Sequence, residues 1–193
     1  MIGKLPKRFP MNRLMFSVGL TAAVWLSSIA PGSGAQLKKA EYRTSEFAFW
    51  YSADFKLSVA DHGTIIRLVP RSQSAYWEET IIIRKHDKKN EECDLPQNSQ
   101  PENRDRRNIA GQRAYAYSSE DAAMNRFLKT KGYVIETANS CWRFELIRKG
   151  RPWQKFGFSK EEQKRLDKQS EQDAKAAEAA FKMILDSFVL PGQ

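Results

Sequence analysis

Histidine is nearly missing from this chain: His62 and His86 are the only two in 193 residues. Cysteine is as scarce, with Cys93 and Cys141 alone. These shortages exclude much chemistry. A Ser-His-Asp triad needs a histidine held between a serine and a carboxylate. The chain has no G-x-S-x-G turn to present that serine. It also lacks a C-x-x-C pair, so thioredoxin-like redox chemistry and common zinc spacings are out. Gly63, Gly111, Gly132, Gly150 and Gly157 are scattered singly, which gives no phosphate-cradling loop. There is no internal repeat. With so empty a catalytic inventory, the expectation is a protein that is not an enzyme and holds no cofactor.

What is present begins with an address. Lys4, Lys7, Arg8 and Arg13 precede Leu14–Ile29, a run without charge, and Pro31-Gly32-Ser33-Gly34-Ala35 follows. Basic, apolar and small-residue parts in that order form a secretory signal, here expected over 1–35 with cleavage before Gln36. A retained anchor is the rival reading, but the uncharged run falls short of the roughly 20 residues a spanning helix needs. Translation can start at Met1 or at Met11, the second giving a more compact signal. The expected destination is periplasmic or secreted, with no stable membrane span after cleavage. The chain carries a net +9, and losing four leader cations leaves about +5, enough for weak association with anionic surfaces but no argument for nucleic acid.

Two cysteines in an exported chain favour a disulfide, Cys93–Cys141, over two free thiols. In the chain-entropy picture, closing a loop of that length contributes about 4 kcal/mol.

Residues 36–45 form a short polar lead-in, and a single domain is expected over 46–190. Glu46–Tyr51 is an aromatic strand, Ser52–Phe55 a bend, and Lys56–Val59 alternates as a strand does. Asp61-His62-Gly63 signals a turn. Thr64–Val69 is a strand stopped by Pro70. Trp77–Arg84 follows, and its Ile81-Ile82-Ile83 triplet predicts cover on both faces. Residues 86–108 are polar, aperiodic and contain two prolines, so they read as a long flexible surface loop. Gln112–Tyr117 alternates alanine and tyrosine. Phe127–Thr137 and Cys141–Arg148 form a hairpin, with Trp142, Phe144 and Leu146 toward the core and Arg143, Glu145 and Ile147 on the other face.

From Ser159 the period becomes helical. Ser159-Lys160-Glu161-Glu162 matches a capping box. The turns through Asp173 are charged and are expected to project into solvent. Ala174, Ala177, Phe181, Ile184, Leu185 and Phe188 then make an apolar stripe that docks on the sheet.

Two clusters remain. His86, Asp87, Glu91, Glu92 and Asp94 gather metal-binding atoms, but their spacing matches no zinc or calcium pattern and lysines intervene. A solvated charged loop is the favoured explanation, with a metal site as the alternative. Basic residues collect at Arg104, Arg106 and Arg107 and at Arg148, Lys149 and Arg151, with Trp153 close behind. Cations beside aromatics suit an anionic glycan, a headgroup or an acidic protein face. The plainer account is favoured, in which the aromatics anchor the loop to the body while the arginines face water; a binding surface, if there is one, is expected here.

The order of elements is similar to that of the PsbP-like superfamily, which includes a nuclear Ran-releasing factor and many exported bacterial proteins of unassigned role. The resemblance runs from Phe47 to Leu190. It rests on FAFWYSADFKL, on Ile109-Ala110-Gly111 before the alternating tyrosines, on CWRFELI, and on Phe181-x-x-Ile184-Leu185-x-Ser187-Phe188. It implies an α+β protein, an α/β/α sandwich with a mostly antiparallel sheet and a long C-terminal helix packed on it. It also implies an accessory protein acting through surfaces without catalysis. Photosynthetic members bind a photosystem and support its metal and chloride cofactors, but their metal-binding histidines do not align with His62 or His86. The charged stretch Lys160–Asp173 and the two cysteines depart from the plant members. The function expected is an exported binding or accessory protein, with a metal-binding or apolar-ligand carrier as the alternative. The partner would be an unidentified protein or an anionic envelope component.

Overall fold

The computed structural model describes residues 38–60, 65–88, 93–96, 99–123, 126–153 and 156–190, with backbone alone at 102–106 and 123. The expected leader, His62, Glu91 and Glu92 lie outside these residues, as do the side chains of Arg104 and Arg106.

The strands are β1 (Lys39–Arg43), β2 (Ala48–Ser52), β3 (Phe55–Ala60), β4 (Ile65–Pro70), β5 (Trp77–Asp87), β6 (Gln100–Ile109), β7 (Gln112–Ala123), β8 (Arg126–Glu136) and β9 (Ser140–Gly150). One helix, α1 (Lys160–Ser187), follows. Strands β3 to β9 form an antiparallel sheet in the order β3-β4-β5-β9-β8-β7-β6. The α+β expectation holds: a mostly antiparallel sheet carries the C-terminal helix. Among the described residues α1 is the only helix, so they build no second helical layer on the far face.

Alternation decides which side chains meet α1. Ile66 and Leu68, Ile81 and Ile83, Trp142 and Phe144, and Tyr133 and Ile135 point to one face and pack with Ala177, Phe181, Ile184 and Leu185. Phe188 ends the helix and meets Phe144 and Trp142 edge-on at 4.9 and 5.1 Å between ring centres. Phe47 lies 4.8 Å from Trp142, so the β1–β2 hairpin closes one end of this core. Val189 then bridges to Ala48, pinning the end of α1 to β2.

Three expectations change. The polar lead-in contains β1, which pairs with β2 along its whole length. The loop of 86–108 is much shorter: β5 runs on to Asp87 and β6 begins at Gln100. Strand β6 is an edge that pairs only with β7, so it needs no apolar alternation, and charged residues on an edge deter further pairing. A register shift between Pro101 and Arg106 marks where proline removes a ladder donor. Finally, the first half of α1 does not simply project into solvent. Leu166 and Ser170 are buried, and Leu166 packs in a second cluster with Trp77 and Trp153. Leu166 is the one apolar residue between Lys160 and Asp173, too thin a stripe to read from sequence.

The capping box forms as expected, with Ser159 and Glu162 satisfying each other's backbone N–H. Cys93 and Cys141 are joined by a disulfide.

Candidate functional site

Gly150 ends β9 and sits opposite both Trp77 of β5 and Phe127 of β8. A Cβ there would collide with the Tyr76 carbonyl and press on the Phe127 ring. The missing side chain lets three segments converge, and the Arg151 N–H donates to the Tyr76 carbonyl at 2.8 Å. Tyr76 in turn packs edge-on to Phe158 at 5.5 Å and lies 5.9 Å from Phe156, which is itself exposed. Trp77 and Trp153 lie 5.0 Å apart. Their indole N–H groups donate to Asp173 at 3.0 Å and Asp167 at 3.1 Å, tying the 150s segment and β5 to α1. Both acids sit in the charged half of the helix.

This framework leaves a groove of about 540 Å³ in its outer side. Tyr76, Phe127 and Leu128 supply apolar wall; Arg126, Lys149 and Arg151 supply cations; Glu78 and Asp121 supply acids. Lys149 pairs with Glu78 at 3.0 Å, and both remain well exposed. Three cations against two acids leave a small positive excess beside the aromatic wall. Nothing in this set forms a nucleophile–base pair. The arrangement suits binding an amphiphile or an anionic surface.

Beneath the groove lies a buried pair. Glu79, on the helix side of β5, faces Arg148 across the ladder at 3.4 Å. Arg148 also donates to the Ser170 carbonyl at 3.0 Å and to its hydroxyl. Burial raises the Glu79 pKa above the ordinary carboxylate range, Arg148 opposes that, and Asp173 adds to it. The pair joins β5 and β9 to α1, with Glu79 buried and Arg148 half-buried.

The basic residues of the sequence expectation therefore separate. Lys149 and Arg151 line the groove, while Arg148 points to α1 and Trp153 is buried as an anchor. The plainer reading, an aromatic that fastens the loop, describes Trp153. Arg107 lies at the level of Trp142 across the sheet, pairs with Asp186 at 3.3 Å and stacks over Tyr133. Along β9, Trp142 to Lys149 spans about 24 Å. Arg107 and Lys149 therefore do not share one surface.

His86 and Asp87 are exposed neighbours on β5, so their side chains leave opposite faces. Asp94 offers its backbone carbonyl to Arg143 at 3.1 Å. Among the described residues no group of three or more histidines, cysteines and acids converges to hold a metal.

Sequence reasoning missed Tyr76, Arg126 and Phe127 as groove residues. The available signal was Gly150 inside a basic run, a hint of close backbone approach. It also missed that Glu145, predicted on the outer face, is buried there. Glu145 accepts from the Tyr117 hydroxyl at 2.8 Å and pairs with Arg84. Burial pushes the Tyr117 hydroxyl up to about 12.

Among the described residues no helix is long and apolar enough to cross a membrane. No protein-family model matches the chain, and no curated protein matches it. Among solved structures, the chain is similar to LpqN of Mycobacterium tuberculosis, described as involved in cell envelope biogenesis. The identity is 12% and the TM-score 0.43, over 82% of this chain and 87% of that one.

Proposed function

We propose that this protein is an exported, non-catalytic accessory domain that binds an anionic, partly apolar component of the envelope through the groove beside Gly150. The observation behind this reading is the convergence of Arg126, Lys149 and Arg151 on a wall of Tyr76, Phe127 and Leu128. Cations next to exposed apolar surface match a ligand with a charged head and an apolar body. The Cys93–Cys141 disulfide and the signal-like first 35 residues support action outside the cytoplasm. The PsbP-like resemblance supports an accessory role carried by surface contacts.

The test is co-sedimentation of the purified protein with vesicles of phosphatidylglycerol and phosphatidylcholine, against phosphatidylcholine alone. Binding should require the anionic lipid. The Lys149→Gln/Arg151→Gln double variant should lose about thirtyfold in affinity, since each cation near such a surface contributes on the order of 1 kcal/mol. Equal binding to both vesicle types, or a double variant that binds like wild type, overturns the reading.

A further inference from the structure

The face of the sheet turned away from α1 carries an arrangement that fold stability does not call for. Arg84 of β5 and Arg143 of β9 stand directly opposite each other. Arg67 of β4 and Glu145 of β9 flank Ile82 in the neighbouring row. Like charges directly opposite each other on a sheet destabilise it. Here three guanidiniums share one carboxylate.

That carboxylate is already committed. Glu145 is buried, pairs with Arg84 and accepts the Tyr117 hydroxyl. Tyr117 reaches it across Gly132, where a Cβ would run into the phenol ring. Arg143 donates to the Asp94 carbonyl, but its Nε is buried without a partner among the described residues. Arg67 is exposed and has no carboxylate partner among them. Among the described residues, these three cations against the Glu145 carboxylate leave an excess of two positive charges, in a partly desolvated setting. Burial and the charges of Arg143 and Arg67 together lower the Arg84 pKa, while Tyr117 opposes them. An added anion would relieve that crowding.

We propose that Arg84 and Arg143, flanked by Arg67, form a binding site for a phosphate dianion, either free or carried on a larger molecule. The guanidinium fork matches phosphate oxygens two at a time. Two negative charges balance the local excess. The Cys93–Cys141 disulfide stands on the same face as Arg143, two residues along β9, and holds the Asp94 carbonyl against it. The bridge thereby orients one of the two opposed arginines. This site is separate from the groove beside Gly150 and involves none of its residues.

The experiment is a titration of the disulfide-intact protein with inorganic phosphate, against chloride at equal ionic strength, followed by the NMR signals of the arginine Nε–H groups. The Arg143 signal should shift saturably with phosphate and stay put with chloride. Arg143→Gln and Arg67→Gln should each weaken phosphate binding at least tenfold, and Lys149→Gln should leave it unchanged. Arg67 is exposed, so its variant keeps the test valid if Arg143→Gln fails to fold. Vesicles containing phosphatidic acid that displace inorganic phosphate identify a lipid headgroup as the source, and no displacement identifies a soluble phosphate. A non-saturating shift, the same shift with chloride, or equal weakening by Lys149→Gln overturns the site. Failure of the groove reading would show in vesicle sedimentation and leave this titration untouched.

Discussion

The two faces of the seven-stranded sheet use the same strands and the same registers but are held in different ways. Under α1, β5 and β9 present Ile81, Ile83, Phe144 and Leu146, which pack against the apolar stripe of the helix. On the opposite face the same strands present Ile82, Arg84, Arg143 and Glu145, where burial of Ile82 coexists with an ion pair and a buried phenol. The first face gains by removing apolar area from water, which is non-directional and tolerant of sequence. The second depends on directional hydrogen bonds and ion pairs, where removing a partner from a buried polar group costs more than a formed bond contributes. A face of that kind is specific, and it is where ligand chemistry can be built.

The largest effect of a substitution is expected under the helix. Phe181 is buried between Tyr133 and the rest of the core, and Phe181→Ala should cost about 3–5 kcal/mol of stability through the cavity it leaves. Urea denaturation measures this, and a loss under 1 kcal/mol would mean that α1 is not docked as described. On the other face, Tyr117→Phe should cost about 1–3 kcal/mol, because Glu145 loses its hydroxyl donor while its burial is unchanged. The phenol also gives that face an alkaline signature. Its folded pKa of about 12 lies above the ordinary 10.0, so its contribution is complete below pH 10 and is lost as pH rises through about 12. Wild type should lose stability over that window more steeply than Tyr117→Phe, as read by denaturation at stepped pH.

The smallest expected effect lies at the buried pair between the helix and the sheet. The folded Glu79 carboxyl holds its proton more tightly than the unfolded one. Its contribution is therefore complete below the ordinary value of 4.5 and is lost as pH rises through the raised folded pKa. Glu79→Gln cannot lose a proton, so its stability relative to wild type should improve between acid and neutral pH. A difference that is flat with pH would show that Arg148 fully compensates the burial.

How far the sequence could be read follows from the range of the forces involved. Aromatic and β-branched alternation made β2, β4, β5, β8 and β9 legible, with ends displaced by a few residues. Trp142, Phe144 and Leu146 could be assigned to the core from period alone. Strand β6 was hidden, because an edge strand needs a partner and no apolar pattern. The groove was half legible: Lys149 and Arg151 stood out as a basic run, but Tyr76 and Phe127 lie far from them in sequence. They meet only because β5 and β8 flank β9.

By itself, then, the sequence determined local matters: where strands alternate, where Ser159 and Glu162 start a helix, and which stripe of α1 is apolar. These depend on neighbours within a turn or a pleat. Tertiary structure alone decided that Arg148 turns inward to Glu79, that Trp153 is an anchor, and that Arg84 meets Arg143 beside a buried Glu145. Strand register and helix docking bring those groups together from distant parts of the chain, and register is set by the burial of whole faces at once.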